Sequence, residues 1–150
     1  MIRDGVLLDS LRCCGELGPL YAAEARYHDS LTYDVEFCMT TMALSLKDPD
    51  NIFLVAVREG IVIGFLWGQT SYLPWSKELI ATDNVFYILP EFRGGLYGVK
   101  LIRRYEEIAK ERGAKQIALS IASGITEGRT SELYTHLGYH KVGIQHRKEL

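Results

Sequence analysis

The chain has 150 residues, 47% of them hydrophobic, and a formal net charge of −2. That length and apolar content suit one compact domain and leave no room for a second of ordinary size, so a single domain is expected over residues 1–150. The near-neutral charge argues against a nucleic-acid partner, and the short apolar run behind Arg3 and Asp4 is neither a signal peptide nor a membrane span, which sets a soluble, cytoplasmic protein as the expectation.

Ile2 opens a short first strand, after which Asp9 or Ser10 is expected to cap a helix carrying Leu11, Cys14 and Leu17. Gly15, Gly18 and Pro19 read as an interruption. A second helical piece is expected from Leu20 to about His28, and a third after Asp34, where Val35, Cys38, Met39, Met42 and Leu46 repeat at helical spacing. Asp48-Pro49-Asp50-Asn51 reads as a turn. Two β-like runs, Ile52–Arg58 and Ile61–Thr70, joined by Glu59-Gly60, form an antiparallel hairpin. Ser71 to Thr82 reads as a long loop whose aromatics Tyr72 and Trp75 serve either as packing or as the wall of a substrate site.

The stretch Asn84–Gly113 is the most informative. An apolar run, Val85–Leu89, is stopped by Pro90, followed by the turn Arg93-Gly94-Gly95-Leu96-Tyr97-Gly98 and then by a helical pattern closed at Gly113. Leu101, Ile102, Tyr105, Ile108 and Ala109 form one apolar stripe, while Lys100, Arg103, Arg104, Glu106, Glu107 and Lys110 face away from it. The turn lies at the helix N-terminus, where unpaired N–H groups and the positive end of the dipole suit a phosphate. A tight strand-to-helix connection also favours glycine, so phosphate cradle and structural turn stand as alternatives. Ala114–Ser123 reads as a further strand, making a βαβ unit with a right-handed crossover. Thr126–Leu137 is a short helix stopped by Gly138, and Tyr139–Leu150 supplies the last strands. A mixed-sheet α/β or α+β fold follows from this order.

The three cysteines, Cys13, Cys14 and Cys38, lack CxxC spacing, and the four histidines, His28, His136, His140 and His146, are dispersed. The cysteines read as reduced packing residues, and no metal site is expected.

The order P-E-F-R-G-x-x-x-G-x-x-L-I after a short apolar strand resembles the acyl-CoA binding segment of the GNAT superfamily of N-acyltransferases. The family's turn runs Arg or Gln, two residues, Gly, one residue, then Gly or Ala. Arg93 and Gly98 take the first and last places, whereas Leu96 stands where the first glycine is usual. A second segment, Ser131-Glu132-Leu133-Tyr134-Thr135-His136-Leu137-Gly138-Tyr139, is similar to the family's L-Y-x-x-L-G-F/Y. Arg129 agrees with the common pattern before it, while Glu127 replaces an asparagine and Thr130 an alanine.

The resemblance covers nearly the whole chain and implies the GNAT fold, a central mixed twisted sheet flanked by helices. It implies an N-acetyltransferase moving an acetyl group from acetyl-CoA to an amine by direct attack in a ternary complex, without a metal. Main-chain N–H groups at Phe86, Tyr87 and Ile88 would hold the pantetheine and acyl carbonyl, and those of Arg93, Gly94, Gly95, Leu96, Tyr97 and Gly98 the pyrophosphate. Tyr134 would protonate the departing thiolate, since a phenol with pKa ~10 keeps its proton at neutral pH. Asp83 is the first candidate for general base, ahead of Glu78 and Glu127. The amine acceptor is not legible, and a homodimer is left open. The competing reading is a regulatory module that binds acyl-CoA without turnover. A dinucleotide-binding domain fits poorly, because Gly94–Gly98 is not G-x-G-x-x-G, and a P-loop lacks its Gly-Lys-Ser/Thr.

Overall fold

The computed structural model describes residues 1–26, 30–121 and 123–150. Five strands form one sheet in the order β1-β2-β3-β4-β5. They are β1 (Ile2–Asp4), β2 (Asn51–Arg58), β3 (Ile61–Tyr72), β4 (Leu79–Ile88) and β5 (Gln116–Ala118). The pairs β1–β2, β2–β3 and β3–β4 are antiparallel, and β4–β5 is parallel. The helices are α1 (Leu7–Arg12), α2 (Gly18–Glu24), α3 (Val35–Ser45), α4 (Leu96–Glu111) and α5 (Glu127–His136). None of the described helices is long and apolar enough to cross a membrane.

The runs 52–57 and 62–66 are buried residue after residue. A strand alternates its side chains between faces, so unbroken burial means that both faces of the sheet are covered. α4 lies on β1 to β4, and the α1–α3 layer packs through residues 13–17 against β3. The expected stripe of α4 is its core face: Leu101, Ile102, Tyr105 and Ala109 are fully buried. On its wet face Arg103 pairs with Glu106 and Arg104 with Glu107, so these cations are matched within the helix. The β2–β3 hairpin turns at Glu59 and Gly60, both at positive φ, as its two-residue connection requires.

Several expectations are corrected. Asp9 does not precede the first helix but sits inside its first turn, where its carboxylate accepts the Val6 N–H and pairs with Arg3. Gly15, Gly18 and Pro19 do not break the chain: a π-helical turn, Cys13–Leu17, joins α1 to α2, and the Cys14 carbonyl that an N–H at Pro19 would bond is taken instead by the Tyr33 hydroxyl at 2.7 Å. The expected end of the second helical piece, at His28, lies outside the described residues. The supposed long loop 71–82 shrinks to residues 73–78, because β3 runs to Tyr72 and β4 starts at Leu79. The expected strand Ala114–Ser123 pairs only over Gln116–Ala118. No strand forms in 139–150, where Val142 and Ile144 are 89% and 72% exposed. Their alternation has no partner strand to bury it.

The β3–β4 ladder is irregular at one point. Trp67 faces Val85 and Gly68 faces Asp83, so Asn84 is an extra residue, a β-bulge in β4. Opposite it, a Cβ on Gly68 would collide with the Thr82 carbonyl, the Tyr105 hydroxyl and the Asp83 backbone. Two of these three are main chain and cannot move aside cheaply. Gly68→Ala is therefore expected to cost about 2 kcal/mol or more in urea unfolding, the range of core overpacking. Gly128→Ala, with open space around the added methyl and a helical backbone, should be neutral or slightly stabilising in the same measurement.

Candidate active site

The bulge at Asn84 ends the β4–β5 pairing. Parallel partners stop at Thr82 and Ala118, whereas β4 stays paired to β3 up to Ile88. Beyond Thr82 the two strands diverge. On β4 the Leu89 N–H donates to Ile63 O at 3.0 Å, and hydrogen-bonding direction alternates along a strand, so Val85 and Tyr87 face β3 while Phe86 and Ile88 face the gap. The Phe86 and Ile88 N–H groups are thus presented to a cleft rather than to a neighbouring strand.

That cleft has a volume of about 580 Å³ and is lined on one side by Asp83 to Ile88 and on the other by Ser120, Ile121, Leu133 and Tyr134. Its far end is the turn Arg93–Leu96 with Gly98 and Arg129. α4 begins there after Gly95, and no side chain caps it. The first N–H groups of a 16-residue helix, with the positive end of its dipole, therefore open toward the cleft. Gly94 has φ +79°, and a Cβ there would lie 3.0 Å from the Arg129 guanidinium. Arg129 makes no ion pair among the described residues, so its positive charge adds to that of the helix terminus.

The individual positions of the turn behave differently. Leu96 is the first helical residue and its side chain is 67% exposed, so it can present its N–H without filling the cleft. Tyr97 turns its ring onto Phe92, edge to face at 6.4 Å, and only its main chain belongs to the helix mouth. Gly98 is buried against Phe86, Ile88 and Leu133, each 3.5–3.6 Å from where a Cβ would stand. The Arg93 side chain is turned away from the helix terminus: Nε donates to Ile88 O at 2.7 Å, and the two Nη atoms grip Glu24 of α2 at 2.8 and 2.9 Å.

Asp83, expected just ahead of the central strand, lies within β4 at the point of divergence. Its Oδ1 accepts the Ser120 N–H at 2.9 Å, and Tyr134 Oη donates to Ser120 O at 3.2 Å. Ser120, two residues past the end of β5, thus holds both expected catalytic side chains. Burial pushes the Asp83 carboxyl up to about 6, although the Ser120 N–H works against it. The Tyr134 phenol is also raised, first by burial and then by the nearby Asp83 charge, so it holds its proton at any physiological pH. Tyr72 and Trp75, by contrast, sit at the β3–β4 hairpin end, 63% and 81% exposed, and neither lines the cleft. Glu78 bonds Ser76 in the same hairpin, and Glu127 faces Arg26 at 3.8 Å.

Sequence reasoning missed Glu24 and Ser120. Glu24 is 69 positions from Arg93, and Ser120 works entirely through its main chain, so neither leaves a local signature. Among the described residues no group of three or more His, Cys, Asp or Glu is placed to hold a metal, and the three cysteines are free thiols.

Because Asp83 binds its proton more tightly folded than unfolded, stability falls as pH rises from about 4 toward about 6. Asp83→Asn removes that penalty. Its melting temperature should match or exceed the wild type's at pH 7–8, and the advantage should vanish below pH 4, as followed by thermal unfolding across a pH series.

Comparison with known proteins places this geometry. The chain is similar over 77 residues, at 31% identity, to a thialysine N-epsilon-acetyltransferase of Bos taurus; the match covers 51% of this chain and 44% of that protein. The chain spans about half the length of the curated relatives it matches. A transcriptional regulator from Bacillus halodurans superposes with a TM-score of 0.78 over 100% of this chain and 99% of that one, at 20% identity. An aminoglycoside N-acetyltransferase solved in complex with CoA gives a TM-score of 0.77 at 16% identity, over 100% of this chain and 95% of that one. The model of the acetyltransferase (GNAT) family matches residues 16–139, which includes the α2 end, the bulged strand, the glycine turn and α5, and the chain belongs to that family.

Proposed function

We propose that the protein is an N-acetyltransferase that transfers an acetyl group from acetyl-CoA to an amine by direct attack within a ternary complex, and that residues 1–150 act as one domain. The observation that carries this reading is the coincidence, in one cleft, of the strand N–H groups at Phe86 and Ile88 with the uncapped start of α4. The first group suits an extended amide-bearing chain, which can pair with β4 as a strand would. The second suits a pyrophosphate. A long ligand carrying both is what the cleft accommodates, and the CoA complex of a fold relative supports the same assignment. Acetyl-CoA would supply the acetyl group as a thioester.

In this scheme the N–H groups of Leu96, Tyr97 and Gly98 hold the pyrophosphate, with Arg129 beside them. The Phe86 and Ile88 N–H groups orient the pantetheine and polarise the acyl carbonyl. Asp83 takes the proton from the attacking nitrogen, directly or through one water; a carboxyl near pKa 6 is ionised at neutral pH yet more basic than an ordinary one. As the new N–C bond forms and the C–S bond breaks, Tyr134 delivers a proton to the sulfur. Its hydrogen bond to Ser120 O needs only rotation of the hydroxyl to release it. The relative's name supports an amine as acceptor, and the exposed hairpin aromatics Tyr72 and Trp75 do not enter this reading.

CoA should raise the melting temperature, since a ligand bound only by the native state stabilises it by mass action. No shift at millimolar CoA would sink the donor assignment. Tyr134→Phe should then lower the single-turnover rate by about 10²-fold or more with little change in CoA affinity, the usual worth of general acid catalysis. An unchanged rate would leave Tyr134 as a packing residue. In wild-type protein kcat/KM should rise with pH through about 6, and Asp83→Asn should lose that limb along with most of the rate. CoA binding with no transfer to any amine in a panel would favour the binding module.

A further inference from the structure

The last residue of α2, Glu24, and the two that follow it touch both walls of the cleft. On the β4 side Glu24 accepts from both Nη atoms of Arg93, at 2.8 and 2.9 Å, and from the Tyr87 hydroxyl at 2.6 Å. Arg93 in turn stacks on the Tyr87 ring, 5.1 Å from its centroid, and closes the open Ile88 carbonyl through Nε. On the α5 side the Arg26 N–H donates to Ser123 O at 2.9 Å. Gly124, at φ +70°, brings its backbone against the Arg26 side chain, where a Cβ would lie 2.6 Å from Cδ. Between these anchors Ala25 is fully buried.

The cleft exists because β4 and β5 part, and beyond Thr82 and Ala118 no ladder bond ties them among the described residues. Asp83 and Tyr134 fix the separation at Ser120, at the inner end. Farther out, residues 24–26 form a direct bridge between the two walls. We infer that Glu24 is a positioning residue for the acyl-donor site: with Arg26 it straps the walls at a fixed width and holds Arg93 off the helix mouth, leaving the first N–H groups of α4 open to the phosphates. This rests on the proposed donor reading. The strap's own geometry does not.

The carboxylate is well suited to the task. A bidentate Arg–carboxylate pair fixes orientation as well as distance, and Arg93 and the Tyr87 hydroxyl together hold the Glu24 carboxyl below its ordinary range. The carboxyl is therefore ionised throughout the neutral range. Without Glu24, both Nη atoms of Arg93 lose their partner beside the turn, and the Tyr87 hydroxyl loses its acceptor.

The test uses the full chain and CoA as probe. Glu24→Ala should weaken CoA binding in calorimetry by about tenfold, the order expected when one partner of a charge-assisted pair is removed. Glu24→Gln, which keeps acceptor oxygen but no charge, should fall between Glu24→Ala and wild type, and exposed Glu36→Gln should bind as wild type. In ligand-free protein, hydrogen exchange of the Arg26 amide should be faster in Glu24→Ala, while amides of the β2–β3 ladder keep their protection. That second readout separates a local strap from general destabilisation. If Glu24→Ala binds CoA as tightly as wild type, or exchange quickens everywhere equally, the inference is overturned. Should wild-type protein bind no CoA, the donor reading fails; exchange at Arg26 then judges the strap alone, and an unchanged rate overturns it.

Discussion

A single extra residue in the central strand governs the functional half of this fold. Asn84 bulges from β4, and a bulge both bends a strand and interrupts one side of its ladder. The antiparallel neighbour absorbs the insertion, since Gly68 has no side chain to obstruct it. The parallel neighbour does not, and β5 leaves. Polar groups around the bulge are satisfied locally: the Asp83 carboxylate takes the Ser120 N–H, and on the β3 side the Thr82 carbonyl accepts from Tyr105, a fully buried residue of α4. The helix that starts at the glycine turn is thus bonded to the strand at the bulge itself. Cleft and strand edge have one origin, and α4 is tied to it through Tyr105.

This origin explains what could be read from sequence. The glycine turn, the stripe of α4, the Glu59-Gly60 hairpin and α5 are set by contacts within a few residues, and each is found where expected. The start of β4 is different. Thr82, Asp83 and Asn84 are polar or turn-prone, and the bulge breaks the period of two, so the apolar alternation emerges only at Val85. The strand therefore reads as a loop ending at Thr82. An opposite error occurs after α5, where Val142 and Ile144 alternate as in a strand but stay exposed. Pattern gives propensity, whereas pairing needs a partner.

Candidate-site residues divide the same way. The placement of Arg93 to Gly98 and Tyr134 around one cleft is legible because they sit in compact local motifs. Their side-chain duties are less so. Arg93 spends its guanidinium on Glu24 and Ile88 O rather than at the helix mouth, an arrangement set by the packing of α2. Ser120 contributes only an N–H and a C=O, which every residue but proline carries. No residue type at that position would have announced the role.

Ser120 also links the two proposed proton carriers. Asp83 and Tyr134 hang from the two sides of its peptide units, and the negative charge of Asp83 is one cause of the raised Tyr134 pKa. On the proposed chemistry that coupling has a direction. While Asp83 is ionised, its field keeps the phenol proton in place, so the acid cannot discharge early. Once Asp83 has taken a proton from the attacking nitrogen, the field disappears and Tyr134 becomes a stronger acid, at the stage when a thiolate is forming and needs a proton. Burial makes the effect larger than in water, because charges a few ångströms apart are poorly screened there. The same desolvation that makes Asp83 a better base thus makes its protonation felt at Tyr134. On the proposed chemistry base and acid would act in sequence because each titration changes the other.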